Sequence, residues 1–180
     1  MAEFRAFAPG VEVNGETVLS VVAGLGGFEA AARKILADSG IADPRPGEWY
    51  PQQAWLDAFK AISTRVGPSA LFNIGKAIPE NAQWPPSVTT IETALPSIDL
   101  AYHMNHRGGE IGHYLYMSTG PRSVRMVCRN PYPCHFDRGI VTAVARRFKP
   151  RDVVTVTTTH DDGAPCRAKG EDSCTYLVNW

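Results

Sequence analysis

The N-terminal part of the chain carries its apolar residues at helical spacing. In the segment NGETVLSVVAGLGGFEAAARKILADSGI they recur every three or four positions, and the glycines in its middle predict a bend. Gly40 is a predicted stop for this helical region. Pro51 suits the first turn of a second helix, whose apolar side carries Trp55, Phe59 and Ile62.

Two further helices are predicted before residue 108. One begins near Ser69 and is expected to end at Pro79. The other keeps an apolar stripe over residues 88–102 and contains Pro96, which predicts a kink or two abutting helices. The glycines of HRGGE end this region.

From residue 111 the pattern changes to the alternation typical of strands. IGHYLYMS and SVRMVCR predict a hairpin, with Val124, Met126 and Cys128 facing inward in its second strand. Asp137 is predicted to cap the helix DRGIVTAVARRF. Two more strands are predicted in VVTVTTT and CTYLVNW.

These elements predict an α+β fold in which N-terminal helices pack on a C-terminal antiparallel sheet of β-β-α-β-β order. We interpret residues 1–109 as the helical part and residues 110–180 as the C-terminal α/β part of the same single domain.

Charge and composition narrow the class of partner. The 18 basic and 18 acidic residues balance, which argues against a nucleic-acid partner. No apolar run reaches the roughly 20 residues of a membrane-spanning helix. The N-terminal segment MAEFRAFAPG lacks the pattern of a signal peptide. We therefore expect a cytoplasmic protein whose four cysteines are thiols or metal ligands.

The C-terminal region carries a resemblance to known proteins. Cys134 precedes a helix, and the run CRAKGEDSC, from Cys166 to Cys174, leads into the last strand. This ending resembles a superfamily that contains the 4-vinyl reductase domains, the C-terminal part of the H-NOX proteins and the TRAPP transport subunits. The resemblance implies an apolar pocket for a small hydrophobic ligand, a sensory role, a homodimer and a signalling partner protein.

The resemblance also implies a zinc site, because some 4-vinyl reductase domains hold zinc with three cysteines and an acidic residue. Gly163 stands where that acidic residue is expected. The predicted metal ligands, including two candidates for the fourth position, are Cys134, Cys166, Cys174, Asp162 and His160. Such a set makes a closed, structural zinc site. The alternatives are plain buried thiols, or a reactive Cys134 thiolate at a helix start beside His135.

Heme is the alternative cofactor, and zinc is favoured over it. H-NOX proteins bind heme through a helix histidine, and the heme alternative here would use His103, His106 and His113. The H-NOX motif Tyr-x-Ser-x-Arg is matched by Tyr116 and Ser118 but has Gly120 at its third position. The simpler interpretation is that histidines near a helix C-terminus interact with its carbonyls.

Large rings in the helical part and the first strand predict the ligand pocket. Its candidate lining residues are Trp55, Phe59, Phe72, Trp84, Tyr102 and Tyr116. The alternative is that these rings only fill the core.

No catalytic set of residues stands out, so a binding domain is favoured over an enzyme. The leading hypothesis is a small-ligand-binding sensory domain. The alternatives are a heme-based gas sensor, an accessory factor or enzyme of tetrapyrrole metabolism, and a dimeric adaptor.

Overall fold

Five helices precede the main sheet in the computed structural model, which describes residues 3–180. They are α1 (Gly15–Leu25), α2 (Glu29–Asp38), α3 (Gln52–Arg65), α4 (Pro68–Asn81) and α5 (Ile91–Met104). The predicted bend in the first helical region lies between α1 and α2, where Gly26 has a φ of 51°. Gly40, with a φ of 96°, follows α2 as predicted.

Neither proline ends a helix, so the predicted end at Pro79 and the alternative of two abutting helices at Pro96 are wrong. α4 continues past Pro79 to Asn81, and α5 runs without interruption through Pro96. At Pro79 the last turn remains satisfied, because its carbonyl accepts hydrogen bonds from Trp84 Nε1 at 3.0 Å and Arg147 Nη1 at 3.2 Å. In α5, burial of the flanking apolar residues offsets the cost of a proline within the helix.

A small sheet in the N-terminal half was not predicted. It consists of β1 (Glu12–Asn14), β2 (Trp49–Pro51) and β3 (His106–Arg107), in the order β2-β1-β3 with antiparallel neighbours. Strands of two or three residues are too short to show an alternating pattern. One of these strands, β2, lies directly before the predicted helix that contains Trp55.

Along the chain, the strands of the main sheet and one helix follow the predicted β-β-α-β-β order. Its elements are β4 (His113–Gly120), β5 (Ser123–Arg129), α6 (Cys134–Arg147), β6 (Thr157–His160) and β7 (Cys174–Asn179). The strand order is β4-β5-β7-β6, and all neighbours are antiparallel. Val124, Met126 and Cys128 are buried, as their alternation predicted. The protein is thus an α+β protein with helices on one side of an antiparallel sheet.

The start of α6 differs from the prediction. The helix begins at Cys134, with Pro133 as its N-cap, and Asp137 already lies in its first turn. Asp137 does not cap the helix. It is fully buried and forms an ion pair with Arg167, also buried, from the segment before β7.

The helical half joins the C-terminal half through a close crossing of α4 and α6. A Cβ atom placed on Gly75 would lie 2.1 Å from the Phe136 carbonyl oxygen, and one on Gly139 would lie 2.3 Å from that of Phe72. The backbones of the two helices are therefore in direct contact. None of the helices described here is both long enough and apolar enough to cross a bilayer.

Candidate metal centre

Three cysteines and one histidine from the C-terminal half converge on one point. Cys134 opens α6, His160 ends β6, Cys166 lies in the following loop and Cys174 begins β7. The Cys134 sulfur lies 3.5 Å from that of Cys166 and 2.9 Å from that of Cys174. One ligand atom from each of the four residues lies within 4.8 Å of all the others. The arrangement brings together four of the five predicted metal ligands.

The fifth predicted residue, Asp162, lies behind the histidine. Its Oδ1 atom is 3.1 Å from His160 Nδ1, and its side chain is 93% exposed. His160 Nε2 is buried and has no hydrogen-bond partner within residues 3–180. A metal-binding histidine characteristically gives its other ring N–H to a carboxylate. The geometry therefore favours His160 as the fourth ligand and Asp162 as the residue that orients it.

The electrostatics of the cluster favour a thiolate. The pKa of Cys174 is lowered from 9.0 to about 4, first because the Cys134 thiol donates a hydrogen bond to its sulfur and then because the Arg167 guanidinium is near. The Arg167 backbone N–H also donates to this sulfur, at 3.4 Å. The pKa of Cys134 is raised by the same contact and by burial. A metal ion would take the place of the proton that the two sulfurs share.

The sulfur spacing is compatible with a bound ion after a small adjustment. Zinc holds its sulfur ligands at about 2.3 Å, so two sulfurs on a tetrahedral ion lie about 3.8 Å apart. The Cys134–Cys166 spacing of 3.5 Å is near this value, and the Cys134–Cys174 spacing of 2.9 Å would have to widen.

A buried polar network supports the loop that carries Cys166. The Arg167 guanidinium donates to the carbonyl oxygens of Cys128, at 3.0 Å, and Asn130, at 2.7 Å, and pairs with Asp137. Asp137 also accepts a hydrogen bond from the Tyr114 hydroxyl at 2.6 Å. No motif or periodicity in the sequence predicted a role for Arg167. Its position directly after a candidate ligand was the only local signal.

Two carboxylates accept hydrogen bonds from the backbone N–H groups of two of the cysteines. The Cys166 N–H donates to Glu171 Oε2 at 2.7 Å, and the Cys134 N–H donates to Glu3 Oε1 at 2.9 Å. A depression of about 200 Å³ opens beside the cluster, with Arg138 and Lys169 on its lining. The cluster is therefore preorganised and accessible to a small molecule.

The three histidines of the heme alternative do not share one site. His106 is buried, with Nδ1 at 2.8 Å from the Tyr102 carbonyl and Nε2 at 2.5 Å from the Tyr132 hydroxyl. Burial lowers the pKa of His106 from 6.5 to about 4. His103 and His113 are exposed and lie beside Asp99.

The rings predicted to line a ligand pocket lie in several places. Trp55 and Phe59 stack at 4.6 Å between centroids and pack on Tyr132 and Phe136 in the core. Tyr102 meets Tyr114 and also Tyr132, so it belongs to the same cluster. Two others lie elsewhere: Trp84 meets Phe148, and Phe72 lies beneath Arg138 and Lys76. Tyr116 is half-buried on β4.

A different space lies between α1 and α4. This cleft of about 360 Å³ is bordered by Glu16, Ser20, Ile78 and Asn81, among others. Ser20 is buried, and its hydroxyl has no hydrogen-bond partner in the part of the chain that the structure describes. Such a group can pair with a ligand that enters the cleft.

Solved structures share this arrangement of helices and sheet. No family model and no curated protein sequence matches the chain. In structure, however, the chain has the fold of the H-NOX domains.

An H-NOX protein from S. oneidensis in the Fe(II)NO ligation state aligns with a TM-score of 0.65 and 11% identity, over 91% of this chain and 97% of that one. An oxygen-binding H-NOX domain related to soluble guanylate cyclases, in its oxygen complex, aligns with a TM-score of 0.60 and 15% identity, over 91% and 90% of the two chains. At these identities the likeness defines the fold.

His106 does not fit a heme ligand in this structure. Both ring nitrogens of His106 are engaged by Tyr102 and Tyr132, so neither is free to bind iron. The space between α3 and α6 is filled where Trp55, Phe59 and Phe136 pack, and α4 and α6 touch at their backbones. A porphyrin would need this packing to open.

Proposed function

We propose that this protein is a ligand-binding sensory domain of the H-NOX fold with a structural zinc ion held by Cys134, Cys166, Cys174 and His160. The observation that carries the proposal is the convergence of three sulfurs and the buried imidazole nitrogen His160 Nε2. Thiolates with one imidazole favour zinc over harder cations such as Mg²⁺ and Ca²⁺. Four protein ligands leave no open coordination position, which is typical of structural rather than catalytic zinc.

In this proposal the residues around the ion have distinct roles. Zinc supplies a cross-link between the start of α6 and the strands β6 and β7. Asp162 orients His160 through its Nδ1 atom, and Arg167 offsets the negative charge of the thiolates. The site thereby fixes the helix that packs against α4.

The sensory role is supported by the fold and by the cleft between α1 and α4. H-NOX structures with bound gas ligands share the architecture over at least nine-tenths of this chain. The cleft provides about 360 Å³ and an unpaired Ser20 hydroxyl, which suits a small, mostly apolar molecule with one polar group. A ligand there would act on α4, and the signal would pass to a partner protein or a second copy of the chain.

Metal analysis of the untagged protein tests the zinc centre. We expect one equivalent of zinc in the wild-type protein and a loss of metal in Cys166→Ser and His160→Ala. Cys128→Ala is the matched control, because Cys128 is buried outside the cluster and should leave the zinc content unchanged. Less than a tenth of an equivalent in the wild-type protein would refute the site.

Native mass spectrometry and melting temperatures across a panel of lipids, aromatics and tetrapyrroles test the ligand-binding role. We expect a retained or stabilising small ligand whose effect is reduced by Ser20→Ala. A panel with no bound species and no change in melting temperature would count against a sensory domain, whatever the zinc content.

A heme-based gas sensor is the second candidate, because the similar structures include heme proteins, one of them characterised for its distorted porphyrin, with a TM-score of 0.61. Heme supplementation followed by absorption spectroscopy separates the two candidates. A stoichiometric Soret band that is lost in His103→Ala or His113→Ala would favour the gas sensor. Absence of the band would exclude it.

A further inference from the structure

The C-terminal end of α5 and the start of β4 bring two exposed histidines to one carboxylate. Asp99 and His103 are one turn apart on α5, and His113 is the first residue of β4. One ligand atom from each of the three lies within 4.8 Å of the others. The imidazole rings of the two histidines are 4.9 Å apart between centroids and tilted by 32°.

We infer that Asp99, His103 and His113 form a second metal site, for a divalent ion such as Ni²⁺, Zn²⁺ or Cu²⁺, independent of the cysteine cluster. Two imidazoles and a carboxylate make a nitrogen and oxygen donor set that suits these ions. The site would lie at the β4 edge of the main sheet, whereas His160 of the cysteine cluster lies on β6 at the opposite edge.

The distances fit an ion better than they fit direct hydrogen bonds. His113 Nδ1 lies 3.4 and 3.5 Å from the two Asp99 carboxylate oxygens. Ordinary hydrogen bonds between such groups are about 2.7 to 3.2 Å long. An ion bound at about 2.1 Å holds neighbouring ligand atoms about 3.0 to 3.4 Å apart, so Asp99 and His113 need little movement to bind it.

Outer contacts hold the donors in place. Asp99 Oδ1 accepts a hydrogen bond from the Tyr114 backbone N–H at 2.7 Å, which fixes the carboxylate between helix and strand. His103 Nδ1 donates a hydrogen bond to the Asp99 carbonyl oxygen at 2.8 Å, which orients its ring and leaves Nε2 as the nitrogen that would bind the ion. Because the side chains are 33% to 50% exposed, an ion would be reachable from solvent and would keep positions for water or a small ligand.

Titration of the zinc-loaded protein with Ni²⁺ tests the site, with calorimetry and absorption as readouts. We expect one saturable Ni²⁺ per chain, retention of the zinc, no thiolate-to-nickel charge-transfer band, and a rise in melting temperature on binding. His113→Ala and Asp99→Asn should each weaken Ni²⁺ binding by about tenfold or more.

Glu92→Gln is the matched control, since Glu92 is an exposed acid in the first turn of the same helix. It should bind Ni²⁺ as the wild-type protein does. His113→Ala keeps the test valid if Asp99→Asn fails to fold, because His113 is half exposed and its removal leaves the contact between Asp99 and Tyr114 intact. Unsaturable binding, equal affinity in His113→Ala, or binding that displaces zinc would overturn the inference.

Discussion

Gly75 on α4 and Gly139 on α6 face each other where the two helices cross. A Cβ atom on Gly75 would stand 3.2 Å from the Gly139 Cα atom, and one on Gly139 would stand 3.1 Å from the Gly75 Cα atom. No side chain separates the two backbones at this point. The close contact between the helical half and the C-terminal half thus depends on the absence of a Cβ atom at Gly75 and at Gly139.

We predict that Gly75→Ala lowers the free energy of unfolding by about 1 to 3 kcal/mol, as overpacking of a tight interface does. The new methyl group would meet the backbone of Phe136 at 2.1 Å, which a rotamer change cannot relieve. Urea denaturation measures the effect. Gly27→Ala is the control, because nothing lies within 4 Å of a Cβ atom there, and equal stabilities of the two variants would contradict the tight crossing.

Removal of the Arg167 side chain should greatly lower the free energy of unfolding. Arg167→Met leaves the Asp137 carboxylate buried without its partner, and such a break typically costs about 3 to 5 kcal/mol. The comparison is Arg122→Met, which breaks an exposed, solvent-screened pair with Asp152 and should cost far less. Similar losses of unfolding free energy in the two variants would show that the buried pair contributes no more to stability than the exposed pair does.

The buried His106 should make stability depend on pH. Its pKa in the folded state, about 4, is below its ordinary 6.5, so folding favours the neutral imidazole. The resulting stabilisation is present above pH 6.5 and is lost as the pH falls towards 4, by about 3 kcal/mol in all. Unfolding free energies measured between pH 7 and pH 4 should fall more steeply in the wild-type protein than in His106→Gln. Parallel curves would rule out this source of acid sensitivity.

Zinc removal should expose the cysteine cluster to oxidation. In chelated protein, hydrogen peroxide should oxidise the thiols of Cys134 and Cys174 to one disulfide and be reduced to two molecules of water, because the two sulfurs lie 2.9 Å apart. Differential alkylation with mass spectrometry would show a loss of two hydrogens at this pair, while buried Cys128 stays a thiol. Zinc-loaded protein should resist the reaction, and equal oxidation with and without zinc would contradict the proposed ligand set.

Periodicity was sufficient for most of the elements. The helical stripes and the alternation around Val124 and Cys128 predicted the α+β order, because each depends on residues a few positions apart. The helix end predicted at Pro79 and the alternative of two helices at Pro96 were wrong, because tertiary packing offset the local cost of a proline within a helix. The small sheet around Val13 could not be predicted, because its strands are too short to show an alternating pattern.

The candidate site depended on information that local patterns lack. Cys134 and Cys174 meet across 40 residues of sequence, and the family resemblance, rather than periodicity, suggested that they belong together. The same resemblance offered Asp162 and His160 as fourth ligands without deciding between them, and the ring nitrogen contacts now favour His160. The pair of Arg167 with Asp137 could not be foreseen, because a buried ion pair leaves no trace in either residue's neighbourhood.

The sequence order of the cysteine cluster also constrains how the protein matures during synthesis. Cys134, His160, Cys166 and Cys174 emerge from the ribosome one after another, and all the helices precede the last of them. An incomplete chain that ends before Cys174 lacks one of the four ligands, so the full set can capture metal only after α6 and the helical half have been made. With the proposed ligand set, metal uptake would thus occur late in synthesis, after the chain of the helical half and of α6 has been made.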